Sequence, residues 1–148
     1  ITPLAIGAPL TLVVGDTGVR SATRLPVGAL RARWQAAPTT YEVYFDQVGA
    51  VVTQARQSLA SGDLVLLGKL LDENQRLLAA LGVSSPELEQ LIGAARAAGA
   101  LGAKLSGAGW GGVMIALVAD EQREAVAAAL RAAGATRVRV AAVPAQTV

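Results

Sequence analysis

Apolar and polar positions along this chain follow two different periods, which separate predicted helices from predicted strands. In residues 43–61, 64–81 and 86–99 the apolar positions recur three and four residues apart, and this spacing predicts three successive amphipathic helices. Asp63 and Ser85 stand directly before the second and third helices, where each side chain is expected to cap the helix N-terminus. The middle of the chain is therefore predicted to be helical.

Strands are predicted on both sides of these helices. Residues 10–15 form a β-rich run before them, and residues 101–105 and 113–118 form short apolar runs after them. A fourth helix, which Asp120 is expected to cap, follows these two strands. Residues 137–140 then alternate between arginine and valine, which is typical of a half-exposed strand.

The predicted order of elements is one strand, three helices, two strands, one helix and one strand. This is the split βαβ order of a ferredoxin-like α+β sandwich, with a four-stranded antiparallel sheet and a helix-rich first crossover. Residues 20–40 contain two prolines and show no clean period, which predicts a long loop that is mobile or lines a site.

The residue composition limits the chemistry that this chain can perform. Its 148 residues suffice for one domain, and 53% of them are hydrophobic while only 3% are aromatic, which predicts an aliphatic core. The chain contains no histidine and no cysteine, which excludes a histidine base, a thiol nucleophile, a disulfide and a zinc site with nitrogen or sulfur ligands. Hydroxyl, carboxylate, lysine, arginine and backbone amide groups must therefore supply any chemistry.

The charge pattern argues against nucleic acid and membrane partners. The net charge is +2 and the isoelectric point is about 9.5, but the basic residues are scattered and are not interleaved with aromatic residues. The long apolar stretch at residues 97–119 has six glycines between positions 99 and 112, which favours loop and strand over a membrane span. The expected location is the cytoplasm.

The strongest candidate for chemistry is the segment that connects the predicted strands 101–105 and 113–118. We call residues 106–112, SGAGWGG, the glycine loop. Its glycines allow backbone conformations in which several N–H groups converge on an anion such as a phosphate. The loop fits the pattern G-x-G-x-x-G, but it leads into a strand where that pattern must open a helix. A tight hairpin that uses glycine for packing is the alternative.

Three smaller features also carry candidate polar groups. Hydroxyl and charged side chains cluster in residues 16–24, where turn formation is the alternative interpretation. Asn74 and its neighbour Gln75 lie in the second predicted helix, and Asn74 interrupts the apolar stripe, which favours a buried amide that is satisfied within the core. A hydrogen bond from Asn74 to a ligand hydroxyl is the alternative. Trp110 is expected to cover the edge of the core rather than to stack on a base.

Together these segments resemble the GHMP kinases. Residues 104–117, KLSGAGWGGVMIAL, resemble the third, C-terminal motif of that superfamily. Residues 72–84, DENQRLLAALGVS, followed by residues 88–99, resemble the corresponding stretch of the mevalonate kinases within it. Residues 15–24, GDTGVRSATR, are similar to the segment that begins the C-terminal half of those enzymes.

The resemblance implies transfer of the γ-phosphoryl group of ATP, with Mg²⁺, to the 5-hydroxyl group of mevalonate in isoprenoid synthesis. It implies that Thr23 and Ala108 line the substrate pocket. It also implies that five residues of the glycine loop support the phosphate-binding loop: Ser106, Gly107, Gly109, Gly111 and Gly112. No catalytic residue and no metal ligand are implied in this chain, because the family's catalytic aspartate and lysine lie in its N-terminal half.

Residues 1–148 are therefore expected to form the C-terminal domain of a two-domain kinase whose N-terminal domain binds most of the ATP and Mg²⁺. The chain alone is expected to be inactive, and an apolar face left without the partner domain is expected to drive self-association into a homodimer.

One departure from the family pattern keeps other substrates open. Trp110 stands where mevalonate kinases usually have glycine and galactokinases have an aromatic residue. Val113 replaces a common cysteine, which is expected to have no chemical consequence. Galactokinase, phosphomevalonate kinase and diphosphomevalonate decarboxylase are the alternatives within the superfamily. A ferredoxin-like module that binds a ligand without catalysis is the alternative outside it.

Overall fold

Four strands and five α-helices make up residues 3–146, the part of the chain that the computed structural model describes. In chain order they are β1 (Leu10–Asp16), α1 (Arg24–Ala36), α2 (Pro38–Ser61), α3 (Leu64–Ala80), α4 (Pro86–Ala97), β2 (Gly102–Ser106), β3 (Val113–Val118), α5 (Arg123–Ala132) and β4 (Arg137–Val143). No helix within these residues is both long enough and apolar enough to cross a membrane.

The strands form one antiparallel sheet in the order β2-β3-β1-β4. This order and the helical crossover between β1 and β2 confirm the predicted ferredoxin-like α+β fold. Two pairings have a direct consequence for the glycine loop: Val113, the first residue of β3, lies opposite Ser106 in β2 and opposite Asp16 in β1. The end of β1 is therefore placed beside both ends of the glycine loop.

Helices cover the two faces of the sheet to different extents. On one face, α4 and α5 pack against alternate strand residues such as Val13, Leu105 and Met114, which are almost completely buried. On the other face, α2 and α3 cover only the part around Leu10 and Leu117. Most of the core therefore lies between the sheet and the helices α4 and α5.

Helix α3 runs along the outer edge of β2. The two backbones touch, since a Cβ atom built on Gly102 would lie 1.9 Å from the carbonyl oxygen of Gly68. The carboxylate of Asp72 accepts a hydrogen bond of 2.9 Å from the N–H of Ala103, and it also pairs with the Arg96 guanidinium at 2.7 Å. These contacts cover an edge that would otherwise leave N–H groups unpaired.

The prediction of a loop over residues 20–40 is wrong, because α1 and the first turn of α2 occupy most of it. Both prolines stand in the first turns of helices, Pro26 in α1 and Pro38 in α2, where a backbone N–H has no partner within the helix. They therefore begin helices rather than break them. The guanidinium of Arg33 holds α1 in place by donating to the carbonyl oxygen of Leu81 at 2.7 Å.

Two of the three predicted caps are confirmed. The Asp63 carboxylate accepts from the N–H of Leu66 at 2.9 Å, and the Ser85 hydroxyl accepts from the N–H of Leu88 at 3.3 Å. The predicted cap by Asp120 is wrong, because this residue begins a short 3₁₀ turn, Asp120–Gln122, ahead of α5. Its carboxylate is bonded to the Thr11 hydroxyl and to a nearby arginine instead.

Substitution of Gly102 tests the contact between α3 and β2. We expect Gly102→Ala to lower the free energy of unfolding by about 2–3 kcal/mol or more, since the new methyl group would overlap a backbone carbonyl that cannot rotate away. Gly49→Ala is the matched control, because Gly49 is exposed in α2 with no atom within 4 Å of the added Cβ. It should leave stability unchanged or raise it by up to about 1 kcal/mol. Equal urea midpoints for the two variants would contradict the close approach.

Candidate functional site

The candidate site residues named above meet at one cleft of about 210 Å³, between the glycine loop and the segment that joins β1 to α1. The segment between β1 and α1 contributes Val19, Arg20, Ser21 and Thr23. The glycine loop and the first residue of β3 contribute Ser106, Gly107, Ala108, Gly109, Gly111, Gly112 and Val113. Two motifs more than 80 residues apart in the sequence therefore form a single surface.

Backbone hydrogen bonds hold the end of the glycine loop against the segment after β1. The N–H and the hydroxyl of Thr17 both donate to the carbonyl oxygen of Gly112 at 2.9 Å. In return, the N–H of Gly112 donates to the carbonyl oxygen of Val19 at 2.9 Å. At Gly111 a Cβ atom would lie 2.7 Å from the same Val19 oxygen, so only glycine allows the two segments to approach this closely.

The middle of the glycine loop rests on the connection between α3 and α4. The backbone N–H of Trp110 donates to Val83 and its indole N–H donates to Gly82, both to carbonyl oxygens at 2.8 Å. A Cβ atom on Gly109 would lie 1.9 Å from the carbonyl oxygen of Val83. Trp110 is half-buried in this contact, which agrees with its predicted place at the edge of the core.

Several polar groups of the cleft are not used by the protein itself. Within residues 3–146, the backbone N–H groups of Gly107, Ala108 and Gly109 make no hydrogen bond. Thr23 stands at the N-cap of α1, yet its hydroxyl does not bond to the helix, and the hydroxyl of Ser106 likewise has no partner among the described residues. These groups are free to donate hydrogen bonds to a ligand.

The chemistry of the cleft is that of a binding surface. Hydroxyl groups, backbone N–H groups and the Arg20 guanidinium suit a phosphate group or a substrate hydroxyl. The residues that line the cleft include no aspartate or glutamate, so this surface offers neither a carboxylate base nor an acidic ligand for a metal ion. Nowhere in residues 3–146 do three carboxylates come together in a way that would hold a metal.

Gln75 fixes the position of the strand that leads into the glycine loop. Only 2% of this residue is exposed, and its amide oxygen accepts from the N–H of Leu105 at 2.8 Å. Its amide nitrogen donates to the Ser84 hydroxyl at 3.0 Å and to the Glu89 carboxylate at 2.7 Å. Gln75 thus links the end of β2 to the α3–α4 connection on which Trp110 rests.

The sequence favoured Asn74 as the buried, satisfied amide of α3. That prediction is wrong, because the buried and satisfied amide is Gln75. Helix α3 is buried on two sides, by α2 and by β2, and the apolar stripe alone indicates only one of them. Asn74 is half-buried in a different cavity, and Gln75 faces β2. The one sequence signal for Gln75 was its place inside the segment that resembles the mevalonate kinases.

The α+β fold and the cleft beside the glycine loop can now be compared with known families. Residues 55–136, more than half of the chain, match the family model for the C-terminal domain of GHMP kinases. The chain therefore belongs to the GHMP kinase C-terminal family.

Its relatives within that family include mevalonate kinases. The chain is 42% identical over 132 residues to the mevalonate kinase of Pyrococcus abyssi, a match that covers 86% of this chain and 39% of that enzyme. It is 44% identical over 133 residues to the mevalonate kinase of Thermococcus gammatolerans, with coverage of 86% and 39%. The crystal structure of L. major mevalonate kinase in complex with R-mevalonate superposes with a TM-score of 0.94 at 35% identity, covering 99% of this chain and 46% of that one. The chain spans about two fifths of the length of the curated relatives it matches.

Replacement of Gln75 tests the link between β2 and the α3–α4 connection. We expect Gln75→Met to lower the free energy of unfolding by about 2–3 kcal/mol, because it keeps the side-chain length but leaves the buried N–H of Leu105 without an acceptor. Hydrogen exchange at the amides of Leu105 and Trp110 should accelerate as well. Gln54→Met, on the exposed face of α2, is the control and should change stability by no more than about 0.5 kcal/mol. Similar losses in the two variants would contradict a specific role for Gln75.

Proposed function

We propose that this chain is the C-terminal domain of a mevalonate kinase, which transfers the γ-phosphoryl group of ATP to the 5-hydroxyl group of mevalonate. The observation that carries the proposal is the match to the L. major enzyme, whose crystal structure is a complex with R-mevalonate. The identity to the Pyrococcus and Thermococcus mevalonate kinases supports the same assignment. The proposed setting is isoprenoid synthesis in the cytoplasm.

In this proposal the chain contributes binding and orientation. Phosphoryl transfer depends mainly on holding the two reactants in line and on neutralising the charge of the phosphate. Thr23 and Ala108 line the pocket for mevalonate, with the Thr23 hydroxyl as a hydrogen-bonding group near the reacting oxygen. The free N–H groups between Ser106 and Gly109 face phosphate oxygens, and Gly111 and Gly112 hold that part of the loop in place.

We assign Mg²⁺ and most of the ATP contacts to an N-terminal domain. The cleft of this chain does not fit a metal ion, since no carboxylate lines it. It fits a phosphate group, since backbone N–H groups, serine and threonine hydroxyls and the Arg20 guanidinium can donate to one. The second domain then supplies the catalytic base, the metal ligands and the remainder of the nucleotide site. Exposed apolar side chains on α1 and α2 outside the region of Val52, among them Leu25, Val27 and Val43, support an interface with that domain or with a second copy of the chain.

The aromatic residue Trp110 does not favour galactokinase activity over mevalonate kinase activity. Its indole N–H is bonded to the carbonyl oxygen of Gly82, and its ring covers the α3–α4 connection. An aromatic side chain at this position therefore has a structural use in this chain that does not depend on the identity of a sugar or acid substrate.

The proposed division of labour predicts that the 148-residue chain alone does not turn over. We expect no mevalonate-dependent formation of ADP from the isolated chain, and robust formation from the protein that carries this chain together with its N-terminal domain. In the two-domain protein, mevalonate should be preferred to galactose and to phosphomevalonate by at least a hundredfold in kcat/KM. Substantial turnover by the isolated chain, or a preference for galactose, would contradict the proposal.

Substitution of Thr23 tests the predicted contact with mevalonate. In the two-domain protein we expect Thr23→Ala to raise KM for mevalonate about three- to tenfold, the effect of one lost hydrogen bond. Stability should change little, because the Thr23 hydroxyl does not cap α1. Thr53→Ala is the control, since Thr53 is exposed on α2 and bonds only to Gly49 in its own helix. An unchanged KM for mevalonate in Thr23→Ala would show that the Thr23 hydroxyl does not contact the substrate.

A further inference from the structure

A second cavity, which we call the groove, lies between α2, α3 and the less covered face of the sheet. Its volume is about 420 Å³, and it shares no lining residue with the cleft beside the glycine loop. Most of its wall is aliphatic, including Val51, Ala55, Leu71 and Ile115. This size lies within the range of about 300–1,000 Å³ that is usual for small-molecule sites.

The polar side chains that line the groove are two cations and one neutral amide. Arg56, Asn74 and Lys104 are the polar residues that line it, and the lining includes no aspartate or glutamate. Among the described residues, Arg56 forms no ion pair and the Asn74 side chain forms no hydrogen bond. An anion would therefore meet two cations and no carboxylate among the lining residues.

Lys104 is the key residue of this surface. It lies on β2, opposite Ile115 in the sheet, and it is half-buried. Its ammonium group donates to the carbonyl oxygen of Leu105 at 2.8 Å but has no carboxylate partner within residues 3–146. Burial lowers the pKa of Lys104 below its ordinary value, because a partly desolvated cation is disfavoured without a counter-charge. A bound anion would supply that counter-charge.

We propose that the groove is a second ligand site that binds a small amphipathic anion, a carboxylate or phosphate monoester on an aliphatic chain. The head group is bound by Lys104, with Asn74 and Arg56 as further donors. The aliphatic chain lies against the side chains of α2 and α3 and against Ile115. The site is separate from the cleft, so the proposal does not depend on the proposed kinase activity.

A set of ligands with one tail and different head groups tests this inference directly. Octanoate, octyl phosphate, octan-1-ol and octylamine are titrated into the isotopically labelled chain, and backbone amide shifts are followed by NMR. We expect the two anions to shift the amides of Lys104, Ile115 and the α3 residues around Asn74, while octan-1-ol binds at least tenfold more weakly and octylamine does not bind. The ratio of the two anion affinities distinguishes a carboxylate ligand from a phosphate ligand.

Charge-removing variants identify the residues that bind the head group. Lys104→Met should weaken octanoate binding about tenfold or more, as expected for loss of a charge-assisted hydrogen bond. Lys69→Met removes the same charge from an exposed position on α3 outside the groove, and it should bind octanoate as the parent chain does. Arg56→Gln, at an exposed position, should weaken binding about threefold and provides a test if Lys104→Met does not fold.

Three results would overturn the inference. Equal affinity for octanoate and octan-1-ol would show an apolar docking surface without a site for an anion. Unchanged binding in both Lys104→Met and Arg56→Gln would show that neither side chain binds the head group. Amide shifts centred on Gly107 and Gly109 would place the anion in the cleft and leave the groove without a ligand of this kind.

Discussion

The contact between α3 and the outer edge of β2 is the constraint on which the rest of this structure depends. Gly68 and Gly102 let the helix backbone touch the strand backbone, and Asp72 and Gln75 then accept the N–H groups of Ala103 and Leu105. A strand edge that needs partners is thereby satisfied by a helix of the same chain, and β2 has one allowed position along that helix. The start of the glycine loop is placed by the same contact.

The glycine loop is in turn held from two sides. Gln75 joins β2 to the α3–α4 connection, whose carbonyl groups accept both N–H groups of Trp110. At the other end, Thr17 and Gly112 tie the loop to the segment after β1. The residues between these anchors keep free N–H groups, so the donors of the cleft are oriented before a ligand arrives. Binding then requires little ordering of the loop, which favours affinity for a phosphate group.

The proposed division of work with a second domain rests on a cleft that offers hydrogen-bond donors and no carboxylate. Donors bind and orient a phosphate or a hydroxyl group, whereas proton transfer and metal binding need acidic or basic side chains on the facing surface. The groove that Lys104 lines differs from the cleft, because its wall is aliphatic and its charged residues are positive.

Local patterns determined much of this fold. The three-and-four spacing located α2, α3 and α4, and short polar side chains marked the caps at Asp63 and Ser85. The glycine spacing marked residues 106–112 as a candidate anion-binding segment. Local patterns failed where residues far apart in the chain determine the local structure. Arg33 stabilises α1 by bonding to Leu81. The Asp120 carboxylate bonds to Thr11 instead of capping the next helix. Only the tertiary structure shows that Gln75, not Asn74, faces β2. That Thr23 and Ala108 line one cleft had been implied by the family resemblance and by no local pattern. The physical reason is that periodicity and capping are short-range effects, whereas sheet register and the burial of a second helix face depend on residues far apart in the chain.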